Sequence, residues 1–278
     1  MSGTLYIVGT PIGNLGDLSP RALETLAAVD FIAAEDTRVT LKLLNHFEIK
    51  KPLVSYFEHN RREKGEQIAD RIAAGESCAI VTDAGMPAIS DPGEDLVRLC
   101  HARGIPVAAV PGPTAFASAL ALSGMPAGRF TFEGFLSMNK QSRRAHLESL
   151  QKEPRTMIFY EAPHKLKATL ADFAETFGAD RQIAVVRELT KIHEEVLHFT
   201  LADACAYYAQ TQPKGEFVLI VSGAPVTDEK TYSLEEAQHL AWDYLDAGMP
   251  ASAAAKEAAK ETGFKKGELY KYLIAKGE

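Results

Sequence analysis

Short apolar runs alternate with amphipathic stretches through the first 122 residues. The runs are LYIV (5–8), FIAA (31–34), PLVSY (52–56), CAIVT (78–82) and PVAAV (106–110), all apolar without strict alternation. Such runs predict strands buried on both faces of a parallel sheet. The stretches between them predict helices. Ser19-Pro20 supplies an N-cap and a proline at the first helical position, ahead of Ala22, Leu23, Leu26 and Ala27 at helical spacing. Residues 38–47 place Leu41, Leu44 and Phe47 on one face, and residues 61–74 place Ile68 and Ile72 likewise. A repeated strand–helix alternation predicts an open parallel sheet with helices on both sides.

SGMPAG (123–128) interrupts this rhythm as a linker would, and a second, mixed segment follows. Its predicted strands are TFEGF, TMIFY, QIAVV, EEVLHF and EFVLIV, with helices near 140–151, 164–176 and 201–209. EEVLHF follows QIAVV too closely for a parallel crossover of about a dozen residues, so this sheet should contain antiparallel pairs. Beyond Ala224-Pro225 only helices are expected, at 233–246, 251–262 and 267–275. The last two, joined at Gly263, suit a helix-turn-helix or the commoner plain αα-hairpin. The predicted organisation is an N-terminal α/β domain at 1–122, a mixed α/β domain at 123–225 and a helical tail at 226–278.

Composition narrows the classes. A hydrophobic content of 46% and a charged content of 24% are those of an ordinary soluble globular protein. No apolar run approaches the roughly 20 residues that span a bilayer, and no leader pattern opens the chain. Cys78, Cys100 and Cys205 are odd in number and outside any CxxC pair, which suits reduced thiols and a cytoplasmic location. A net charge of −7 argues against a protein that coats nucleic-acid backbones broadly, while leaving room for local basic surfaces.

Chemistry concentrates at the strand exits, where open parallel sheets bind ligands. The first strand leaves into GTPIGNLGD, the second into EDTR, the fourth into DAGMPAISDPG and the fifth into PGPTAF. Glycine, proline and acidic residues gathered at one edge indicate backbone approaching a ligand closely. Several familiar sites are absent. There is no GxxxxGK[ST], and Gly9 and Gly13 are four apart with Pro11 between, which breaks GxGxxG. Glu35 nevertheless lies 22 residues beyond Gly13, where a dinucleotide enzyme holds its ribose, so an NAD-dependent oxidoreductase is a rival on pattern alone. HEEVLH (193–198) is one residue out of register for a zinc protease, its histidines falling about 140° apart on a helix. No GxSxG elbow occurs.

In order along the chain, GTPIGNLGDLSPRA, AAEDTR, SYFEHN, VTDAGMPAISDPG, VPGPTA and YEAPH closely resemble the tetrapyrrole-methylase-like superfamily of S-adenosylmethionine enzymes. Within it they are similar to the branch of small-subunit ribosomal RNA (cytidine-2′-O)-methyltransferases, over residues 4–221. The resemblance implies a two-domain α/β methyltransferase of the tetrapyrrole methylase type, usually a homodimer, that binds its donor between the domains. The acceptor it implies is a cytidine 2′-hydroxyl in the decoding centre of the small ribosomal subunit. A small-molecule, tetrapyrrole-type methyltransferase of the same superfamily is the nearest alternative, and an RNA-binding assembly factor using the tail is a non-enzymatic one. Carried over by motif, donor contacts fall at Pro11, Asp83, Gly85, Met86, Ile89, Thr114, Ala115, Tyr160, Glu161, Leu189 and Gly215. This donor has no pyrophosphate, which suits a first loop whose Pro11 and Ile12 offer apolar contact in place of a row of N–H groups.

A 2′-hydroxyl is a poor nucleophile, so a general base within reach would help, and no metal is needed. Candidates at the strand exits are Glu35, Asp36, Glu161 and Glu188, with Lys191 a base only if burial lowers its pKa. Each equally suits an ion pair, for instance Asp36 with Arg38 or Glu188 with Arg187. RNA would meet local cations: Arg38, Arg61, Arg62, Lys140, Arg143 and Arg144, and Lys265 with Lys266 in the tail.

Overall fold

The computed structural model describes residues 3–225 and 232–276. The chain forms two compact units, Met1–Ala224 and Pro225–Glu278. The expected tail boundary opens on residues 226–231, which lie outside the described residues.

The first unit holds two five-stranded sheets. In the first sheet, β1 (Leu5–Val8), β2 (Phe31–Ala34), β3 (Leu53–Ser55), β4 (Cys78–Val81) and β5 (Val107–Val110) run parallel in the order β3-β2-β4-β1-β5. Helices α1 (Pro20–Ala28) and α2 (Thr37–His46) cover one face, around Leu26, Ile32, Leu44 and Val81. Helices α3 (Arg61–Ala73) and α4 (Glu94–Ala102) cover the other, around Phe31, Ile68, Ile72, Ile80 and Leu96. Two buried faces explain why the strands read as unbroken apolar runs. In α2 the buried residues are Thr40 and Leu44. Leu41, expected on that face, is instead 49% exposed, because the contact line runs through 40, 44 and 47.

The second sheet has the order β6-β7-β10-β8-β9, from β6 (Phe130–Phe135), β7 (Thr156–Glu161), β8 (Gln182–Arg187), β9 (Glu195–Thr200) and β10 (Phe217–Val221). Only β6–β7 is parallel; β7–β10, β10–β8 and β8–β9 are antiparallel, the last as the short spacing between QIAVV and EEVLHF required. Helices α6 (Lys140–Ser149), α7 (Leu166–Phe177) and α8 (Leu201–Gln210) accompany it, and a cluster around Phe159, Leu170, Phe173 and Leu219 fills one face. The opposite face is covered by α5 (Ala115–Ser123), which leaves the first sheet through β5 and packs Ala119 and Leu120 on Ile158, Val186 and Val218. One helix therefore belongs to the first sheet by sequence and to the second by packing.

The second unit contains α9 (Leu234–Asp246), α10 (Ala251–Thr262) and α11 (Lys266–Lys276). Ser233 and Glu236 form a capping box at the start of α9. Buried Ala237, Ala241, Ala254, Ala255 and Ala258 bring the helix backbones close, with Leu269 and Leu273 of α11 sealing the core. Gly263 ends α10 in the left-handed conformation, at φ 76°.

Candidate active site

The connections from β1 and β4, which are neighbours, go to opposite faces, α1 to one and α4 to the other. Such a reversal opens a crevice beyond the strand ends. Three loops are locked together there. Gly9 and Gly112 touch backbone to backbone, and a Cβ on Gly9 would lie 2.7 Å from both the Gly112 Cα and the Met86 Sδ. Thr10 and Gly85 exchange backbone hydrogen bonds of 2.9 and 3.1 Å, and the Thr10 hydroxyl donates to the Thr82 carbonyl at 3.1 Å. The loop after β4 also holds Ala88 and Ser90 at φ 67° and 65°, a conformation that non-glycine residues keep only where their surroundings impose it.

Between this crevice and the second sheet lies a cavity of about 510 Å³. Nine residues expected at a donor site line it: Asp83, Gly85, Met86, Ile89, Thr114, Ala115, Tyr160, Glu161 and Leu189. Glu35 lines it too. Pro11 does not; its neighbour Ile12 does, while Pro11 faces a second cavity on the other side of the first loop. Gly215 is also outside the lining, its neighbour Glu216 taking that place. Gly215, at φ 87°, instead lies against the Glu188 carboxylate, where any side chain would collide. No lysine or arginine is among the lining residues.

The electrostatics are acidic. Asp91, absent from the expected set, lines the cavity with Glu35 and Asp83. Burial and then the charges of Glu35 and Asp83 push the Asp91 carboxyl up to about 7. Burial is also the first cause that raises Glu35 and Asp83 above the usual carboxylate range. These two are linked through backbone: the Asp83 N–H donates to Glu35 Oε2 at 3.4 Å, and the Asp36 N–H donates to Asp83 Oδ1 at 3.2 Å. Across the cavity, the Phe116 N–H donates to the Tyr160 hydroxyl at 3.1 Å, and burial raises that phenol to about 12.

The remaining base candidates are committed elsewhere. Asp36 caps α2 and pairs with Arg38 at 2.6 Å, and the Arg38 hydrogen bond lowers its carboxyl to about 2. Glu161 accepts from the Thr169 hydroxyl and from the Ala162 N–H, holding the end of β7. Glu188 pairs with Lys191 at 2.9 Å rather than with Arg187, which faces Glu195 at 3.7 Å. Burial works against the Lys191 charge, but hydrogen bonds to Glu188 and Glu216 outweigh it and raise its pKa. Lys191 is therefore a held cation and not a base. Its stem lies on the first loop, where a Cβ on Gly13 would sit 2.6 Å from the Lys191 Cγ.

The cations expected to meet RNA are unequal. Arg143 is engaged by Asp172 at 2.6 Å and by the Thr169 hydroxyl, with its side chain only 15% exposed. That arginine ties α6 to α7, and a polar contact surface is not where it lies. Arg61 pairs with Glu58 and with Asp95, and Arg144 with Glu148. Arg62 and Lys140 open α3 and α6 without a salt bridge among the described residues, and Lys265 and Lys266 stand at the start of α11 in the second unit.

Sequence reading missed Asp91, Ser90, Phe135, Val186 and Val218 among the lining residues. Asp91 stood within the quoted loop, and its side-chain burial was the missing information. Val186 and Val218 come from strands whose antiparallel order is set only by folding. Phe135 reaches the cavity through a bulge: register shifts between Phe132 and Gly134, so Phe132 and Phe135, three apart, both pack on Tyr160.

Residues 4–205 match the family model for tetrapyrrole (corrin/porphyrin) methylases, and residues 236–277 match that for the RsmI C-terminal HTH domain. The chain is 47% identical over 272 residues to a ribosomal RNA small subunit methyltransferase I of Synechocystis, covering 98% of each chain. It is 50% identical over 270 residues to a protein of the same name from Xylella fastidiosa, covering 96% of this chain and 98% of that one. Uroporphyrin-III C-methyltransferase from Thermus thermophilus, solved with S-adenyl homocysteine, shares the fold at a TM-score of 0.54 and 19% identity, covering 79% of this chain and 97% of that one.

Proposed function

The chain belongs to the tetrapyrrole methylase family and to its ribosomal RNA small subunit methyltransferase I branch, and on that premise we propose that it methylates the ribose 2′-oxygen of a cytidine in the decoding centre. The donor is S-adenosylmethionine, and the observation that carries this reading is the cavity with Glu35, Asp83 and Asp91 on its wall. When bound, the donor supplies an electrophilic methyl group on a sulfonium, open to in-line displacement. The residues present suit such a molecule. Five acidic residues, Glu35, Asp83, Asp91, Glu161 and Glu216, on a largely apolar wall with no lysine or arginine among its described residues favour a cation and repel a phosphate-bearing dinucleotide. The oxidoreductase alternative raised by Glu35 has no such support.

Glu35 and Asp83, fixed through backbone hydrogen bonds, serve the polar end of the donor, while Ile12, Met86, Ile89 and Leu189 give apolar contact. Asp91, held near neutrality, is the carboxylate best matched to take a hydroxyl proton at physiological pH. Lys191 holds Glu188 and Glu216 together beside the first loop. Of the cations expected to meet RNA, Arg62, Lys140, Lys265 and Lys266 remain available to position it, and the working form is a homodimer.

Incubation of labelled donor with intact small subunits, naked ribosomal RNA and free tetrapyrroles tests the reading. Label is expected in the RNA of the small subunit, at one cytidine that resists alkaline cleavage on its 3′ side. Label only in the small molecule would overturn it.

A further inference from the structure

A second cavity, of about 380 Å³, lies on the other side of the first loop, between that loop and α2. Asp83 lines both cavities, so the two adjoin. Pro11 and Leu15 from the loop and Val39 from α2 give it an apolar wall, and Leu15 and Val39 are exposed. Val39, Lys42 and His46 fall at i, i+3 and i+7 of α2 and so share one face. Neither Lys42 nor His46 has an ion-pair partner among the described residues.

Thr82 also lines this cavity. It is 3% exposed, and its hydroxyl has no hydrogen-bond partner among the described residues. Thr10, its neighbour across the sheet, has a hydroxyl satisfied by the Thr82 and Gly85 carbonyls. A buried hydroxyl without a partner costs about 1–3 kcal/mol of desolvation, and Thr82 carries this one in the wall of the cavity.

We propose that this second cavity seats the unstacked nucleotide that carries the reacting ribose. The proposal rests on the RNA methyltransferase reading above. The apolar wall of Pro11, Leu15 and Val39 matches the face of a base, and the Thr82 hydroxyl meets a polar atom on its edge. Lys42 supplies the positive charge that an adjoining phosphate needs, and His46, one turn further along α2, adds a ring nitrogen for a hydrogen bond. Through Asp83 the nucleotide lies next to the chamber that holds the donor.

The test uses the full-length protein and intact small ribosomal subunits. Thr82→Val, Lys42→Gln and Val39→Trp are made singly. Each is assayed for thermal stability, for S-adenosylhomocysteine affinity by calorimetry, for equilibrium binding of small subunits without donor, and for methylation. Thr82→Val should raise the melting temperature slightly, because it removes an unpartnered buried hydroxyl, leave the S-adenosylhomocysteine affinity unchanged, and weaken subunit binding or turnover about tenfold, the scale of one hydrogen bond to a buried group. Lys42→Gln should weaken subunit binding and lower the salt dependence by about one counterion. Val39→Trp should fill the cavity and abolish methylation while S-adenosylhomocysteine still binds. Methylation and subunit binding at wild-type levels in all three variants would overturn the proposal while leaving the methyltransferase reading intact. A wild-type protein that binds S-adenosylhomocysteine but neither binds nor methylates small subunits would overturn both, and the two failures are distinct.

Discussion

Asp91 shows how position sets chemistry for a single residue. Its carboxyl is raised from 3.8 to about 7, first by burial and then by Glu35 and Asp83. The folded state therefore holds this proton longer than the unfolded state. Its contribution to stability is full below about pH 4 and is lost as the pH rises to about 7. In the absence of donor, Asp91→Asn should remove this fall: urea titrations across that window should show the wild type losing stability relative to the variant. S-adenosylmethionine affinity should move the other way in the wild type, rising through about pH 7 as Asp91 ionises, and this rise should be absent in Asp91→Asn. Gly9 makes a second residue-scale case. A methyl there meets the Gly112 backbone at 2.7 Å, which cannot yield as a side-chain tip would. Gly9→Ala should cost about 1–3 kcal/mol in urea denaturation, the usual range for forced overpacking. Gly128→Ala, where nothing lies within 4 Å, should change stability little.

Among the elements, β6 and α5 each bring one residue, Phe135 and Ala115, to the chamber wall. The bulge at Gly134 turns Phe135 to the same side as Phe132, against Tyr160. Phe135 is 58% exposed, so its ring contributes little to the core. Phe135→Ala should leave the melting temperature within a degree or two. It should weaken S-adenosylhomocysteine binding several-fold in calorimetry, since the ring lines the cavity. Helix α5 ties the halves of the first unit, because its Ala119 and Leu120 lie on the second sheet while β5 belongs to the first. Leu120→Ala should cost about 2–5 kcal/mol, and because the same helix begins with the cavity residue Ala115, it should also lower donor affinity.

For the molecule as a whole, the two units have separate cores. The cavity residues all fall within Met1–Ala224, and the alanine-rich core of the second unit draws on none of them. A chain ending at Ala224 should therefore fold with one cooperative transition and bind S-adenosylhomocysteine with wild-type affinity. Scanning calorimetry and isothermal titration check this, and loss of either property would show that the second unit supports the first. Gel filtration with light scattering of the full chain should give a dimer mass.

The apolar runs and the glycine turns determined the elements, the parallel first sheet and the antiparallel β8–β9 pair of the second, because strand burial and crossover length are local constraints, while the pairing of β10 with β7 and β8 was not local. The loops that hold most cavity residues were legible for the same reason: they are short, unusual stretches at one sheet edge. Folding decided what depends on distant neighbours. It withdrew Pro11 and Gly215 from the cavity, took Asp36 and Glu188 into a helix cap and ion pairs, and bound Glu161 to the Thr169 hydroxyl and the Ala162 N–H. It also buried Asp91 beside two other acids and left the Thr82 hydroxyl without a partner. Desolvation and pairing are properties of surroundings, and a sequence names the groups without saying which will share a space.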